Sequence, residues 1–355
     1  MAANTLKMGI DLGNRQTKIY IPEQEGVKKP INIVYPSALL PANLVGESTF
    51  GSLMNNSDLP TTRKFQLTND NNGYIWGESL TQFHKDDGIL QSIAKSNRYE
   101  MDEYKLLSKF ALAEGVLQAG FADEPVNISL SIGLPDDDYD KYSDSDLIKS
   151  IYKNAHSVEI DDKVLQFKVT KLQVLQQGLG APIHELIDFD GNVINPEILT
   201  QRTVWVDMGG GTIIINTFDQ FRALPDLSSI YWNGSDTIYR KLAQLIAKNQ
   251  QVKVDIDELE SQIKKGERSY KVSRNQTIDF TDELNEVLQE TLTILKNKIQ
   301  NTVADMDAID NIFFSGGTAQ IFDPEDLKGM FGFGEIVPDG DMANAIGFVK
   351  AQSMK

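Results

Sequence analysis

Residues 8–21 read MGIDLGNRQTKIYI: an apolar strand stops at Asp11, turns through Gly13 and Asn14, and resumes as a second strand. Residues 204–216, VWVDMGGGTIIIN, repeat this order of strand, aspartate, glycine turn and strand. Either turn alone would most simply close a β-hairpin. Because each copy begins one half of the chain, the repetition indicates a common cause and predicts two related domains.

A third glycine-rich site follows the apolar stretch NIFF and consists of Ser315, Gly316, Gly317 and Thr318, after which we expect a helix to start. Glycine turns bring backbone N–H groups close to a ligand because no Cβ lies in the way, and such groups form an anion-binding nest. Together the three sites predict a bound nucleotide, with the first two turns at its phosphates and the third beside its base.

Charged side chains next to the first two turns fit this prediction. Asp11 and Asp207 stand at strand ends, where carboxylates suit a hydrated Mg²⁺ that takes few protein ligands. Lys18, just after the first turn, can supply positive charge to a phosphate oxygen.

The composition disfavours several classes of function. The 355 residues are 41% apolar and carry a formal net charge of −17, which disfavours broad contact with nucleic acid and with anionic membranes. The absence of cysteine excludes disulfides and thiolate chemistry. No signal peptide or run of about 18 apolar residues is recognisable, so we expect a cytoplasmic protein. The three histidines, His84, His156 and His184, show no metal-site or triad spacing and are interpreted as structural.

The hydrophobic pattern predicts a meander, then helices and strands in alternation, in both halves of the chain. The acidic run at 136–140 is interpreted as a solvated loop. The predicted elements are strands at 7–12, 16–22, 31–35 and 126–135, hairpins at 63–78 and 158–169, a meander at 203–218, and helices at 101–120, 254–271 and 281–303. This order indicates two related α/β domains on mixed sheets.

The three glycine sites, in this order, resemble the motifs of the actin, heat-shock chaperone ATPase and sugar kinase superfamily. DLGNRQTK looks like its first phosphate motif, DMGGGT its second and SGGT its adenosine motif. Within the superfamily the sequence is most similar to the ParM-type actins that segregate bacterial plasmids, through the stretches NRYEMDEYKLLSKFALAEG, IGLP, NGSDTIYRKL and ANAIGFVK.

The resemblance implies two actin-like (ribonuclease H-like) domains with a nucleotide cleft between them. The first would comprise residues 1–172, with an insertion at about 37–100, and would be completed by 336–355. The second would comprise 173–335, with a helical insertion at about 240–275. The connecting segments would be VLQQGLGAP and DMANAIGFVK.

The resemblance also implies roles for individual residues. Asp11 and Asp207 would hold Mg²⁺ through water, and Gln177, with Gln176 as the alternative, would position the attacking water. Asp207 is the better candidate to accept its proton, because an amide is a poor base. Glu260 and Lys264 would contact ribose and base, unless they belong to a merely exposed charged helix. The remaining predicted nucleotide contacts are Asp11, Gly13, Asn14, Arg15, Thr17, Lys18, Gly209, Gly210, Gly211, Thr212, Gly316, Gly317 and Thr318.

The leading hypothesis is therefore a filament-forming ATPase that uses Mg-ATP, with GTP left open, to segregate plasmid DNA. Its partners would be further copies of itself and a centromere-binding adaptor protein on the plasmid. A small-molecule kinase of the same fold is the alternative, although no second substrate motif is evident. A chaperone ATPase or a membrane-bound division actin is disfavoured, because we expect no peptide-binding domain or amphipathic membrane helix after ANAIGFVK.

Overall fold

The structure, a computed structural model, describes residues 5–45, 62–80, 88–92, 97–232, 234–273 and 276–354. His84 and parts of the predicted insertion at 37–100 lie outside these ranges. The chain divides into two compact units, the first made of 1–192 and 344–355 and the second of 193–343. Their limits differ from those of the predicted domains, since the strand that ends at Gln176 runs past position 172 within the first unit.

The first unit is built on a ten-stranded mixed sheet with the order β3-β2-β1-β8-β10-β9-β5-β6-β4-β7. Its strands are β1 Thr5–Leu12, β2 Gln16–Ile21, β3 Ile31–Pro36, β4 Ala38–Pro41, β5 Thr62–Leu67, β6 Gly73–Gly77, β7 Leu90–Gln91, β8 Val126–Leu134, β9 Ala155–Ile160 and β10 Lys163–Gln176. β1 is antiparallel to β2 but parallel to β8, and β8 is parallel to β10. Residues 8–12 of β1 are all buried, as expected of a central strand that is covered on both faces.

Helices pack around this sheet. They are α1 Asp102–Gln118, α2 Asp136–Tyr142, α3 Asp146–Tyr152 and α4 Gly180–Leu186, together with α9 Ala343–Lys350 from the end of the chain. The core joins the apolar face of α1 to the central strands, with Phe110 and Leu112 buried in the same cluster as Met8, Ile10 and Leu130.

The second unit has a smaller mixed sheet with the order β13-β12-β11-β17-β18, in which β14 also pairs with β12. The strands of the unit are β11 Arg202–Met208, β12 Ile213–Asp219, β13 Arg222–Ala223, β14 Ser229–Tyr231, β17 Asn311–Ser315 and β18 Glu335–Ile336, with a separate hairpin of β15 Ser269–Ser273 and β16 Gln276–Asp279. Its helices are α5 Ser235–Gln250, α6 Ile256–Lys264, α7 Thr281–Val303 and α8 Pro324–Gly329. This unit has its own hydrophobic core, in which Val206 and Phe314 of the sheet lie with Leu242 and Leu295 of the helices.

The two units share one strand pattern. The strand that carries the aspartate, β1 or β11, forms an antiparallel hairpin with the next strand and pairs on its other side with a parallel strand, β8 or β17. The predicted α/β class, with related domains on mixed sheets, is thereby confirmed.

Three predictions of local structure are wrong. Residues 136–140 form most of α2 and not a solvated loop, because Pro135 precedes a first turn of three aspartates, and acidic residues stabilise a helix N-terminus. The segment 254–271 is helical only over α6, since Gly266 at φ 78° follows the end of the helix and β15 begins at Ser269. Only a 3₁₀ turn, Ala319–Ile321, follows Thr318.

The side chain of His156 has structural surroundings, whereas for His184 a contact to the fold is made by the backbone. His156 is buried, its Nε2 lies 2.9 Å from the carbonyl oxygen of Tyr152, and its ring stacks on Phe167. The backbone carbonyl of His184 accepts a hydrogen bond from Nζ of Lys350 at 2.6 Å. Within the described ranges, no helix has both the length and the apolar composition needed to cross a bilayer.

Candidate functional site

The first glycine turn joins β1 to β2 and is closed by a 3.0 Å hydrogen bond from Gly13 N–H to the carbonyl oxygen of Gln16. In the hairpin register, Asp11 lies opposite Lys18, and Leu12 lies opposite Thr17. Opposite residues of an antiparallel pair project to the same face and neighbours along a strand alternate. Asp11 and Lys18 therefore share one face, and Thr17 projects from the other.

Thr17 belongs to the support of this turn. Its side chain is fully buried, and its Oγ1 lies 3.0 Å from Oγ of Ser37. Ser37 in turn donates a 2.7 Å hydrogen bond to the carbonyl oxygen of Gly13. Thr17 is thus engaged behind the turn, away from the side on which Asp11 and Lys18 lie.

The carbonyl groups of the turn are held by the buried side chain of Arg98. Its Nη2 donates to the carbonyl oxygens of Leu12 at 2.7 Å and of Gly13 at 3.1 Å. In a planar trans peptide the C=O and the following N–H point in opposite directions. The N–H of Asn14 is therefore directed away from Arg98 and Ser37, as an anion-binding nest requires. Arg98 was not among the predicted site residues, although it lies in the stretch NRYEMDEYKLLSKFALAEG that carries part of the family resemblance.

The carboxylate of Asp11 is 5% exposed and accepts hydrogen bonds from two side-chain amides. Nε2 of Gln177 donates to its Oδ1 at 3.3 Å, and Nδ2 of Asn344 donates to its Oδ2 at 3.4 Å. Gln177 begins the 3₁₀ turn Gln177–Leu179, whereas Gln176 is the last residue of β10. Of the two alternatives, it is thus Gln177 whose amide reaches Asp11.

A close contact between α4 and α9 brings these amides together. A Cβ added to Gly347 would lie 1.8 Å from the carbonyl oxygen of Gly180, so the two helices can meet this closely only at glycine. The N–H of Ala181 also donates to Oδ1 of Asn344 at 3.2 Å. Asn344 lies in DMANAIGFVK, which was predicted as a connecting segment, but it was not among the predicted site residues, and its contact with Asp11 spans 333 positions.

Asp136, at the start of α2, lies close to Gln177. Its carboxyl group accepts a hydrogen bond from the N–H of Gly178, the residue that follows Gln177. Its Oδ1 is buried and has no hydrogen-bond partner among the described residues. Burial raises the pKa of Asp136 above its ordinary value of 3.8, and the Gly178 hydrogen bond opposes that rise.

The second glycine turn joins β11 to β12 and is closed by a 2.8 Å hydrogen bond from Gly209 N–H to the carbonyl oxygen of Thr212. As in the first turn, its carbonyl groups are held from one side, here mainly by backbone N–H groups at the start of α5. The contacts are Ser235 N–H to Gly209 O at 3.3 Å, Asp236 N–H to Gly210 O at 3.0 Å and Gly234 N–H to Gly211 O at 3.4 Å. The peptide N–H groups of Gly210, Gly211 and Thr212 consequently point away from α5.

The predicted adenosine motif packs against this second turn. Gly316 has φ 87°, and a Cβ there would lie 2.6 Å from Oδ1 of Asp207 and 2.5 Å from the carbonyl oxygen of Met208, so that only glycine fits. Thr318 is buried, and its hydroxyl donates to the carbonyl oxygen of Gly209 at 2.8 Å. Its side chain therefore supports the second glycine turn, whereas Gly317 is partly exposed.

Glu260 and Lys264 form an ion pair along α6, with 2.7 Å between Nζ and Oε1. The carboxylate is the more buried partner, with 15% of its side chain exposed against 48% for the lysine. Their role toward ribose and base stays a prediction.

The residues present fit the implied Mg²⁺. Across the described ranges no group of three or more His, Cys, Asp or Glu side chains converges as a metal cage. Asp11 and Asp207 instead offer one strand-end carboxylate beside each turn. A magnesium ion that keeps most of its waters and contacts phosphate needs no more from the protein.

Family models match most of the sequence. Residues 9–180 match the model described as the N-terminal domain of actin like proteins, and residues 205–328 match the C-terminal model of the archaeal MreB-like actin homologue. The chain belongs to the actin-like proteins. No curated protein matches its sequence.

Solved structures of other actin-like proteins share the fold. The apo pSK41 ParM protein has 18% identity and a TM-score of 0.72, covering 98% of this chain and 97% of that one. The archaeal actin homologue Ta0583 in complex with ADP has 17% identity and a TM-score of 0.74, covering 98% and 99%. The Alp12 filament structure has 15% identity and a TM-score of 0.64, covering 98% of each chain. The suspected relationship to actin-like proteins of the ParM type is thereby confirmed at the level of the fold.

Proposed function

We propose that this actin-like protein is an ATPase that binds Mg-ATP through both glycine turns and assembles into filaments whose stability is controlled by hydrolysis. The observation that carries the proposal is the common construction of the two turns. In each, buried donors hold the carbonyl groups, the peptide N–H groups point the other way, and an aspartate ends the preceding strand. The Ta0583 complex with ADP supports nucleotide binding, and the Alp12 filament structure supports self-assembly.

In this proposal each group has one task. The N–H groups at Asn14 and at 210–212 donate to phosphate oxygens, Lys18 adds positive charge, and Asp11 and Asp207 hold Mg²⁺ through its waters. The metal neutralises charge on the phosphates when bound. Arg15 and Gly317 would add contacts at the phosphate and the base.

Gln177 suits the positioning of a water molecule. An amide donates and accepts hydrogen bonds but is a poor base, so Asp207 would take the proton. The bond between Gln177 and Asp11 keeps the amide at the edge of the first turn. Because the amide of Gln177 can orient the water but cannot accept its proton, hydrolysis in the unassembled state should be slow.

The finer biological assignment follows the ParM-type resemblance. The filament would act in the cytoplasm and move plasmid DNA through a centromere-binding adaptor protein, because a net charge of −17 disfavours direct and broad DNA contact. GTP remains the alternative to ATP, since both turns are proposed to contact phosphates and not the base.

Addition of Mg-ATP or Mg-GTP to the purified chain tests the proposal, with light scattering and negative-stain microscopy for assembly and phosphate release for hydrolysis. Filaments together with slow phosphate release are the expected result. A small-molecule kinase would instead stay unassembled and consume ATP only when an acceptor such as a sugar is added. That outcome would favour a small-molecule kinase over a filament-forming ATPase.

A further inference from the structure

Arg98 directs its buried positive charge at backbone carbonyl groups. The residue is 8% exposed and opens the 3₁₀ turn Arg98–Glu100. Besides the carbonyl oxygens of Leu12 and Gly13, its guanidinium donates to that of Ser92 at 3.2 Å and lies 5.1 Å from the centre of the Tyr104 ring. Because guanidinium is planar with donors at fixed angles, these contacts fix both the position and the orientation of the first glycine turn, named the phosphate turn for its proposed role.

Tyr99, the next residue, contacts a different element. Its side chain is 2% exposed, and its hydroxyl donates to Oδ2 of Asp138 on α2 at 2.8 Å. The first residue of the same helix, Asp136, accepts the hydrogen bond from Gly178 N–H. The 3₁₀ turn Arg98–Glu100 thus makes two contacts. Arg98 binds the phosphate turn, and Tyr99 binds α2, whose Asp136 accepts the hydrogen bond from the peptide N–H that follows Gln177.

We infer that Arg98 and Tyr99 are positioning residues that set the phosphate turn and the water-positioning Gln177 relative to one another. Arg98 holds the Asn14 N–H toward phosphate, and Tyr99 holds α2 so that Asp136 fixes the peptide after Gln177. This inference rests on the proposed ATPase function. All of its contacts lie within the first unit.

The two residues should affect different kinetic constants. The phosphate turn contacts nucleotide in the ground state as well as in the transition state, so Arg98 should act mainly on nucleotide affinity. Gln177 acts on the attacking water, so Tyr99 should act on turnover. A displacement of about 1 Å in a reacting group costs up to about a hundredfold in rate, and a loosened support should cost about tenfold.

The test measures nucleotide affinity and single-turnover hydrolysis for Arg98→Lys, Arg98→Met and Tyr99→Phe. Tyr142→Phe is the matched control. The rings of Tyr142 and Tyr99 pack with their centroids 4.8 Å apart, but the Tyr142 hydroxyl is hydrogen-bonded to Lys141 and not to Asp138. We expect Tyr99→Phe to slow hydrolysis about tenfold with unchanged affinity. Arg98→Met should weaken affinity about tenfold or more, Arg98→Lys should weaken it less, and Tyr142→Phe should match the wild type.

A double-mutant cycle tests the route through α2. If Tyr99 acts through Asp136, the variant that combines Tyr99→Phe with Asp136→Ala should hydrolyse ATP no more than about twofold slower than the slower single variant. Independent, multiplicative effects would overturn this route.

The remaining outcomes separate the inference from the proposed function. Wild-type hydrolysis with unaffected variants would overturn the inference and leave the ATPase standing. If Tyr99→Phe lowered affinity, turnover and melting temperature together, Arg98 and Tyr99 would only stabilise the fold in general, and the inference would be overturned. A wild-type chain that binds no nucleotide would overturn both.

Discussion

Nε2 of Gln177 lies 3.3 Å from Oδ1 of Asp11, so the amide that opens the 3₁₀ turn before α4 contacts the carboxylate near the end of β1. The two residues are 166 positions apart and are brought together by the sheet, because β1 and β10 both pair in parallel with β8 and end at the same edge. This contact joins the group proposed to position water to the group proposed to hold the metal. It gives Gln177 a defined place before any nucleotide binds.

Gln177→Ala should slow ATP hydrolysis by about a hundredfold while nucleotide affinity changes by less than about threefold, because a water-positioning amide acts on the transition state. Single-turnover phosphate release and equilibrium binding of a fluorescent ATP analogue measure the two effects. Gln176→Ala is the matched control and should leave turnover nearly unchanged. A larger effect at Gln176 would exchange the roles of the two residues.

Asp207→Ala should abolish hydrolysis without unfolding the second unit. The side chain is partly exposed at a strand end, so its removal empties no part of the core. Phosphate release and the far-ultraviolet circular dichroism spectrum check both statements, with exposed Asp226→Ala as control. Phosphate release near the wild-type rate would remove Asp207 from the proposed chemistry.

Glu114→Ala should destabilise the protein by about 2–4 kcal/mol, because a buried carboxylate that serves several donors is lost. Glu114 is fully buried on α1 and accepts from the Tyr35 hydroxyl at 3.1 Å and from Nε2 of Gln118 at 2.8 Å. The ion pair between Glu114 and Nε of Arg63, at 3.4 Å, is counted as only a small part of this free energy, because the Arg63 side chain is 27% exposed and solvent screens the pair. Urea denaturation measures the change, and Asp102→Ala on the exposed side of α1 should cost less than about 0.5 kcal/mol.

His156 should make the protein less stable as the pH falls below 6.5. Burial lowers the pKa of His156 in the folded state, the Tyr152 carbonyl opposes this, and Lys109 adds to the lowering. The unfolded chain therefore binds the proton first, and stability is lost between pH 6.5 and the lower folded pKa. Melting temperatures between pH 7.5 and 5.5 should decline less for His156→Phe than for the wild type. Parallel declines would show that other groups govern this range.

Local patterns predicted the parts of the fold that depend on neighbouring residues. Both aspartate-bearing hairpins and the helix Thr281–Val303 follow from strand alternation and helical periodicity. The acidic run at 136–140 misled because its charge suggests a solvated loop, whereas aspartates also favour the first turn of a helix. The contacts of Arg98 and Asn344 could not be predicted, because they join positions 86 and 333 residues apart through tertiary packing.

Assembly should respond to salt, metal and nucleotide in a defined order. Subunits with a net charge of −17 repel one another when stacked, and about 0.1 M monovalent salt, with a Debye length of about 10 Å, screens that repulsion. The critical concentration should therefore fall modestly between low and moderate salt. It should rise sharply with EDTA, because the proposed Mg²⁺ offsets phosphate charge beside Asp11 and Asp207. It should also be higher with ADP than with a non-hydrolysable ATP analogue, since hydrolysis is proposed to loosen the filament.

Sedimentation across these conditions measures the effects of salt, metal and nucleotide on the critical concentration. A chain that stays in the supernatant with every nucleotide, at tens of micromolar or more, would count against filament formation and favour a small-molecule kinase of the same fold.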